Sequence, residues 1–203
     1  MQDLLGLTGV SVEAVSTPGW PNEMSDDHAA LAAAHATLEI NGLPEWLGPL
    51  CDRDPDAVRR VLLHCVDEER APNGQEVRRN LLDELSRSTS SVCRLVASAI
   101  LGKIDSAPPE SVKVLDPALK ILACGLDDRA AFASQMLARF RAEADVELRG
   151  LHIGAAFAAD AAAASVEFDA TLSALDAVQR KALVEMAIPQ IANHANGSPT
   201  SCL

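Results

Sequence analysis

From Ser25 onward the chain is cut at regular intervals into helix-sized segments, and this punctuation constrains its fold more than any other feature. Ser25 can accept a hydrogen bond from the first amides of a helix running to about Glu39, with Asp26 and Asp27 in the turn where the helix dipole favours acids. Asn41-Gly42 stops it. Pro44 suits the first position of a short helix carrying Trp46, Leu47 and Leu50. Asp54-Pro55 pairs a cap with a proline at the first helical position, and Val58, Val61, Leu62 and Cys65 follow on one face up to about Glu69. Ala71 to Gly74 breaks that helix.

The scheme recurs downstream. Leu81, Leu82 and Leu85 mark a helix from about Gln75, and Ser86 to Ser90 a polar turn. Cys93, Val96, Ala97 and Ile100 mark the next helix, broken by Asp105 to Pro109. Asp116-Pro117 restarts a helix that Gly125 stops, and Asp127 caps another carrying Ala131, Met136 and Phe140. Gly150 and Gly154 read as interruptions of a helix near Leu148 to Phe157. A narrow apolar stripe then runs through Phe157, Ala161, Ala164, Phe168, Leu172 and Leu175. In the last helix, with Leu183 and Met186, Pro189 predicts a kink or an end.

Composition agrees with helices. Alanine, the best helix former, fills about 35 of the 203 positions, while aromatics are 3% and tyrosine is absent. The expected organisation is an irregular lead-in over 1–24, one α-helical repeat domain over 25–192 and a disordered tail over 193–203.

Within the repeat domain a pattern of Leu-x-x-Leu followed by a polar cap occurs three times. It reads Leu47, Leu50, Asp54, then Leu82, Leu85, Thr89, then Leu119, Leu122, Asp127. The first leucines are 35 and 37 residues apart, the length of a helical pair in solenoid repeats. The predicted fold is therefore all-α, a right-handed α-solenoid of about four antiparallel helical pairs, HEAT- or TPR-like, with an irregular helical bundle as the alternative. Arg59, Arg94 and Arg129 are evenly spaced, but only the first two share a register, each five residues after its cap. That leaves a two-membered column, read as solvated surface.

Sites of chemistry are sparse. His28, His35 and Glu39 resemble a metal set, yet His28 and His35 are separated by about 10.5 Å along a helix axis, too far for one zinc. Ala97 to Ile104 superficially matches a phosphate loop, but alanine stands for its first glycine and isoleucine for its Ser/Thr. His64 and Cys65 are adjacent on a helix and diverge in direction, so they do not form a nucleophile–base pair. Asp160 reads as a helix cap. No catalytic residue, cofactor or metal is expected. The cysteines, Cys51, Cys65, Cys93, Cys124 and Cys202, are odd in number, widely spaced and without a CxxC. They read as reduced thiols of a cytoplasmic protein, and an acid at Asp3 without a basic start argues against a secretory signal. No run is long and apolar enough to predict a membrane span.

Charge is more informative. The net charge is −12, which opposes binding to nucleic-acid phosphates. Residues 1–52 hold eight acids (Asp3, Glu13, Glu23, Asp26, Asp27, Glu39, Glu45 and Asp52) and no Lys or Arg. This acidic end can face a basic protein partner, with Glu23, Asp26, Asp27, Glu39 and Glu45 as the candidate contacts. A solubilising cap is the alternative.

Leu38 to Glu69, with Asn41, Gly42, Pro44, Trp46, Leu47, Pro55, Ala57 and Val58, resembles helical-repeat segments of large bacterial STAND/NACHT-type NTPases. The resemblance implies a sensor or scaffold segment in a bacterial defence-type system, with Trp46 a packing residue; the short helix of Leu47 and Leu50, unstable alone, independently predicts Trp46 buried between the first helical pairs. The ATPase residues of that family lie in a domain with no counterpart in this sequence. The expected function is a non-catalytic, regulatory protein-binding scaffold. A small acidic inhibitor and a helical-bundle enzyme with a buried polar site are the alternatives.

Overall fold

The computed structural model describes residues 2–39, 42–70, 81–106 and 111–196. The described residues form eleven α-helices and no strand, so the protein is all-α. The chain divides into two compact units, residues 1–99 and 100–203.

Unit 1 begins with a helix where the sequence predicts none. Residues 2–16, read as irregular, form α1 (Gln2–Ser16), followed by turns to Glu23. Gly6 and Gly9 hide its helical character in the sequence because they contribute no apolar side chain. Gly6 has a packing reason: a Cβ there would stand 2.3 Å from Cε1 of His35. Close approach of α1 to α2 (Asp26–Ala36) thus depends on a missing side chain. The Ser25 cap forms as expected, its Oγ accepting from the His28 amide at 3.3 Å. Ala29, Ala32, Ala33 and Ala36 bury the inner face of α2.

The short α3 (Leu47–Arg53) starts after a turn at Pro44, with Leu47, Leu50 and Cys51 buried. Trp46 is half-buried rather than enclosed between helical pairs. Its ring meets Trp20 edge-on at 5.9 Å, and its indole N–H donates to Ser11 Oγ at 3.2 Å. Trp46 thus packs on the segment read as a lead-in. Asp54 caps α4 (Pro55–Arg70), its Oδ1 accepting from the Ala57 amide at 3.1 Å. α2 packs on α3 and α4, and α4 on α5 (Leu81–Ser86). The boundary between the units falls within α6 (Ser90–Ser106), which buries Cys93, Val96, Ala97 and Ile100, the face predicted. The expected features at Asn41, Ala71 to Gln75 and Pro108-Pro109 lie outside the described residues.

Unit 2 holds α7 (Val112–Gly125), α8 (Arg129–Ala142), α9 (Val146–Ala159), α10 (Ala161–Ala174) and α11 (Ala177–Asn196). α7 starts four residues before the predicted Asp116 cap and runs through Pro117. Proline removes one helical hydrogen bond there, and its buried ring joins the core with Leu115 and Leu119. Asp128, not Asp127, caps α8 by accepting from the Ala131 amide at 2.9 Å. Asp160 caps α10 as expected and also divides the predicted apolar stripe between two helices.

The predicted interruption at Gly150 and Gly154 does not occur. α9 runs unbroken through both, and Gly150 to Ala156 are all buried. It packs on α7, α8, α10 and α11. A Cβ at Gly150 would come within 3.1 Å of the Met186 carbonyl oxygen, and one at Gly154 within 2.9 Å of Gln190 Cβ. Two glycines one turn apart let α11 approach backbone to backbone. A glycine's helical cost is about 1 kcal/mol, and close van der Waals packing along α11 offsets it. α11 passes through Pro189 to Asn196, so the expected tail begins inside a helix. Residues 197–203 lie outside the described residues.

Candidate functional site

The five acids proposed for partner contact all belong to unit 1, in differing circumstances. Asp26 and Asp27 are exposed in the first turn of α2. Arg53 reaches back to Asp26 at 3.3 Å, binds Asp54 at 3.2 Å and donates to the Met24 carbonyl. The first base in the chain is therefore partly spent on the acidic end. Glu39 is half-buried and engaged. Glu23 and Glu45 are exposed, as are Glu13 and Asp52. Ser25 explains Asp26 and Asp27 as first-turn acids, so Glu13, Glu23 and Glu45 carry the acidity that no local contact explains.

Sequence reasoning missed a cleft between α1 and α2. It has a volume of about 320 Å³ and is lined by Gly6, Gly9, Val10 and Glu13 from α1, Met24 before α2, and His28, Leu31, Ala32 and His35 from α2. The α2 residues follow i, i+3, i+4, i+7 spacing and so share one face. Large apolar side chains lie exposed on these two helices: Val12 at 60%, Val15 at 91% and Leu31 at 55%. No known protein family, curated protein or solved structure matches this chain. Its own geometry therefore carries any reading of its function.

A second cleft in unit 1, about 480 Å³, brings Arg59 and Arg94 to one site. Pro55, Arg59 and Leu63 line it from α4; Ser91, Arg94, Leu95, Ser98 and Ala99 from α6; Cys51 and Asp52 from α3. The two-membered column predicted by register is thus a shared cleft. Arg129 belongs to unit 2, where it donates to the Ala158 carbonyl. Arg59 is paired with Asp56 at 2.8 Å, and Arg94 is also engaged. Burial pushes the Cys51 thiol up to about 12, so it carries no nucleophilic thiolate at neutral pH.

His28 and His35 meet in the first cleft with Glu13, not with Glu39. Among the described residues no group of three His, Cys, Asp or Glu side chains could hold a metal ion. Ala97 to Ile104 lies within α6. His64 points to Glu68 at 3.3 Å and Cys65 to Thr37. Cys51, Cys65, Cys93 and Cys124 form no disulfide, and Cys93 Sγ donates to the Leu85 carbonyl at 3.4 Å. Among the described residues no helix is long and apolar enough to cross a membrane. The cleft residues had a faint signal in the sequence, since Gly6 and Gly9 sit three apart and Leu31 interrupts an alanine run. Such a signal acquires meaning only once α1 is known to be a helix.

Proposed function

We propose that this protein is a non-catalytic protein-binding scaffold whose acidic end, in unit 1, docks a basic protein partner. The observation carrying this reading is the coincidence of charge and apolar exposure. Residues 1–52 contain acids and no Lys or Arg, Leu31 of α2 is exposed in a cleft that Glu13 of α1 also lines, and α1 exposes Val12 and Val15 as well. An exposed apolar surface rimmed by one sign of charge is the composition of a docking site.

Packing supports a repeat architecture of the HEAT or TPR kind. α2 packs on α4, α7 on α9 and α9 on α11, while α8 meets both α9 and α10. Contact between alternate helices is what stacked helical pairs produce. The resemblance of Leu38–Glu69 to repeat segments of STAND/NACHT-type NTPases supports a sensor or accessory role. The acidity equally suits an inhibitor of a basic protein, and loss of that protein's activity on binding would select this second reading.

The test begins by cross-linking in the source cells to identify the partner. Reversing Glu23 and Glu45 to Lys should then slow association several-fold at low salt and much less at high salt, because screening is strong beyond ~8–10 Å. An unchanged association rate at low salt, with helicity intact, contradicts electrostatic docking at this end.

A further inference from the structure

We propose that the cleft between α1 and α2 is the seat for an apolar anchor side chain on a basic, amphipathic helical segment of the partner. This inference rests on the docking reading above and names its site and the chemistry of its occupant.

The cleft is built by the two helices of the acidic end. On the α1 side, Gly6 admits the His35 ring, and Gly9 leaves space where a side chain would otherwise stand. Around a Cβ added at Gly9 nothing lies within 4 Å, so that position opens directly onto unfilled volume. Val10, Met24, Leu31 and Ala32 supply apolar wall. At about 320 Å³ the volume lies at the lower end of the ~300–1,000 Å³ range of ligand pockets, a scale suited to side-chain anchors. Leu31, more than half exposed, is left for the occupant to cover.

The rim fixes the sign of the occupant. Glu13 lines the cleft, Glu23 adjoins the lining residue Met24, and Asp27 lies one turn before Leu31 on α2. A nucleic acid or an anionic membrane surface would be repelled. A second copy would bring the same acids, because residues 1–52 contain no Lys or Arg and the chain carries a net −12. Lys or Arg on the polar face of a helix, with apolar anchors at i, i+3/i+4 and i+7 on the other, satisfies both features at once.

The full chain is titrated with three synthetic probes of about five helical turns at an ionic strength of about 0.15 M. One is an amphipathic Lys/Leu helix, the second a scramble of the same composition, the third the amphipathic helix with Glu for Lys. The amphipathic basic probe should bind tightest and shift amide resonances of residues 6–13 and 24–35. Gly9→Leu fills the cleft from a position with room for its Cβ, so helix content should hold while affinity for that probe falls about tenfold. Leu31→Lys, at an exposed position, should produce a similar fall. Glu13→Lys reverses a charge on the lining and leaves the apolar wall of Val10, Met24, Leu31 and Ala32 intact. If Gly9→Leu and Leu31→Lys bind like the parent while Glu13→Lys weakens binding, the cleft inference falls and the acidic docking face stands. If all three variants bind like the parent, or if the scramble binds equally well with shifts elsewhere, both fall.

Discussion

Replacing Phe140 with alanine should destabilise unit 2 by about 3–5 kcal/mol, a large fraction of the ~5–15 kcal/mol that holds a typical domain folded. Phe140 is fully buried on α8. Its ring centroid lies 6.4 Å from that of Phe168 on α10, which meets Phe157 of α9 edge-on at 6.1 Å. The Arg149 guanidinium sits 4.7 Å over the Phe140 ring while its Nε donates to the Phe140 carbonyl at 3.1 Å. Truncation therefore opens a cavity where three helices meet and removes the ring beneath a cation. Chemical denaturation followed by circular dichroism measures the loss. A shift below about 1 kcal/mol would show that the aromatic cluster is not the core of unit 2.

Acid should weaken unit 2 through His152. This imidazole is buried on α9, and its Nδ1 has no hydrogen-bond partner among the described residues. Burial, and then the nearby Arg139 cation, push its pKa down from 6.5 to about 4, with Glu143 opposing weakly. Between those two values the unfolded chain binds more protons than the folded one. The stabilising contribution is thus complete above pH 6.5 and is lost as pH falls towards 4. A shift of that size is worth about 3 kcal/mol at most. Denaturation midpoints measured across this window should fall with pH in the parent and fall less in His152→Met. Equal slopes in the two proteins would place the acid sensitivity elsewhere.

Local rules make several of the helix starts of this fold readable. Ser25, Asp54-Pro55 and Asp160 each place an oxygen where orphan amides need one, and that requirement is settled within four residues. Gly150 and Gly154 mislead a local reading because a glycine's meaning depends on what lies opposite, here α11 some 35 residues later. Pro117 and Pro189 read as a start and a stop by the same local logic, yet neighbouring packing carries both helices through them. α1 escapes the sequence pattern since Gly6 faces His35 and leaves no apolar periodicity behind. The acidity of the candidate site is visible at once in the sequence. The cleft beside it is not, because it exists only where two helices lie side by side.

Hydrogen–deuterium exchange of the full chain, alone and with its cross-linked and identified partner, tests the docking claim most directly. Protection should concentrate in α1 and α2, from Gly6 to Glu13 and from Met24 to His35, and should weaken in the Glu13→Lys variant. Protection confined to unit 2, with α1 and α2 exchanging as in the isolated protein, would contradict it.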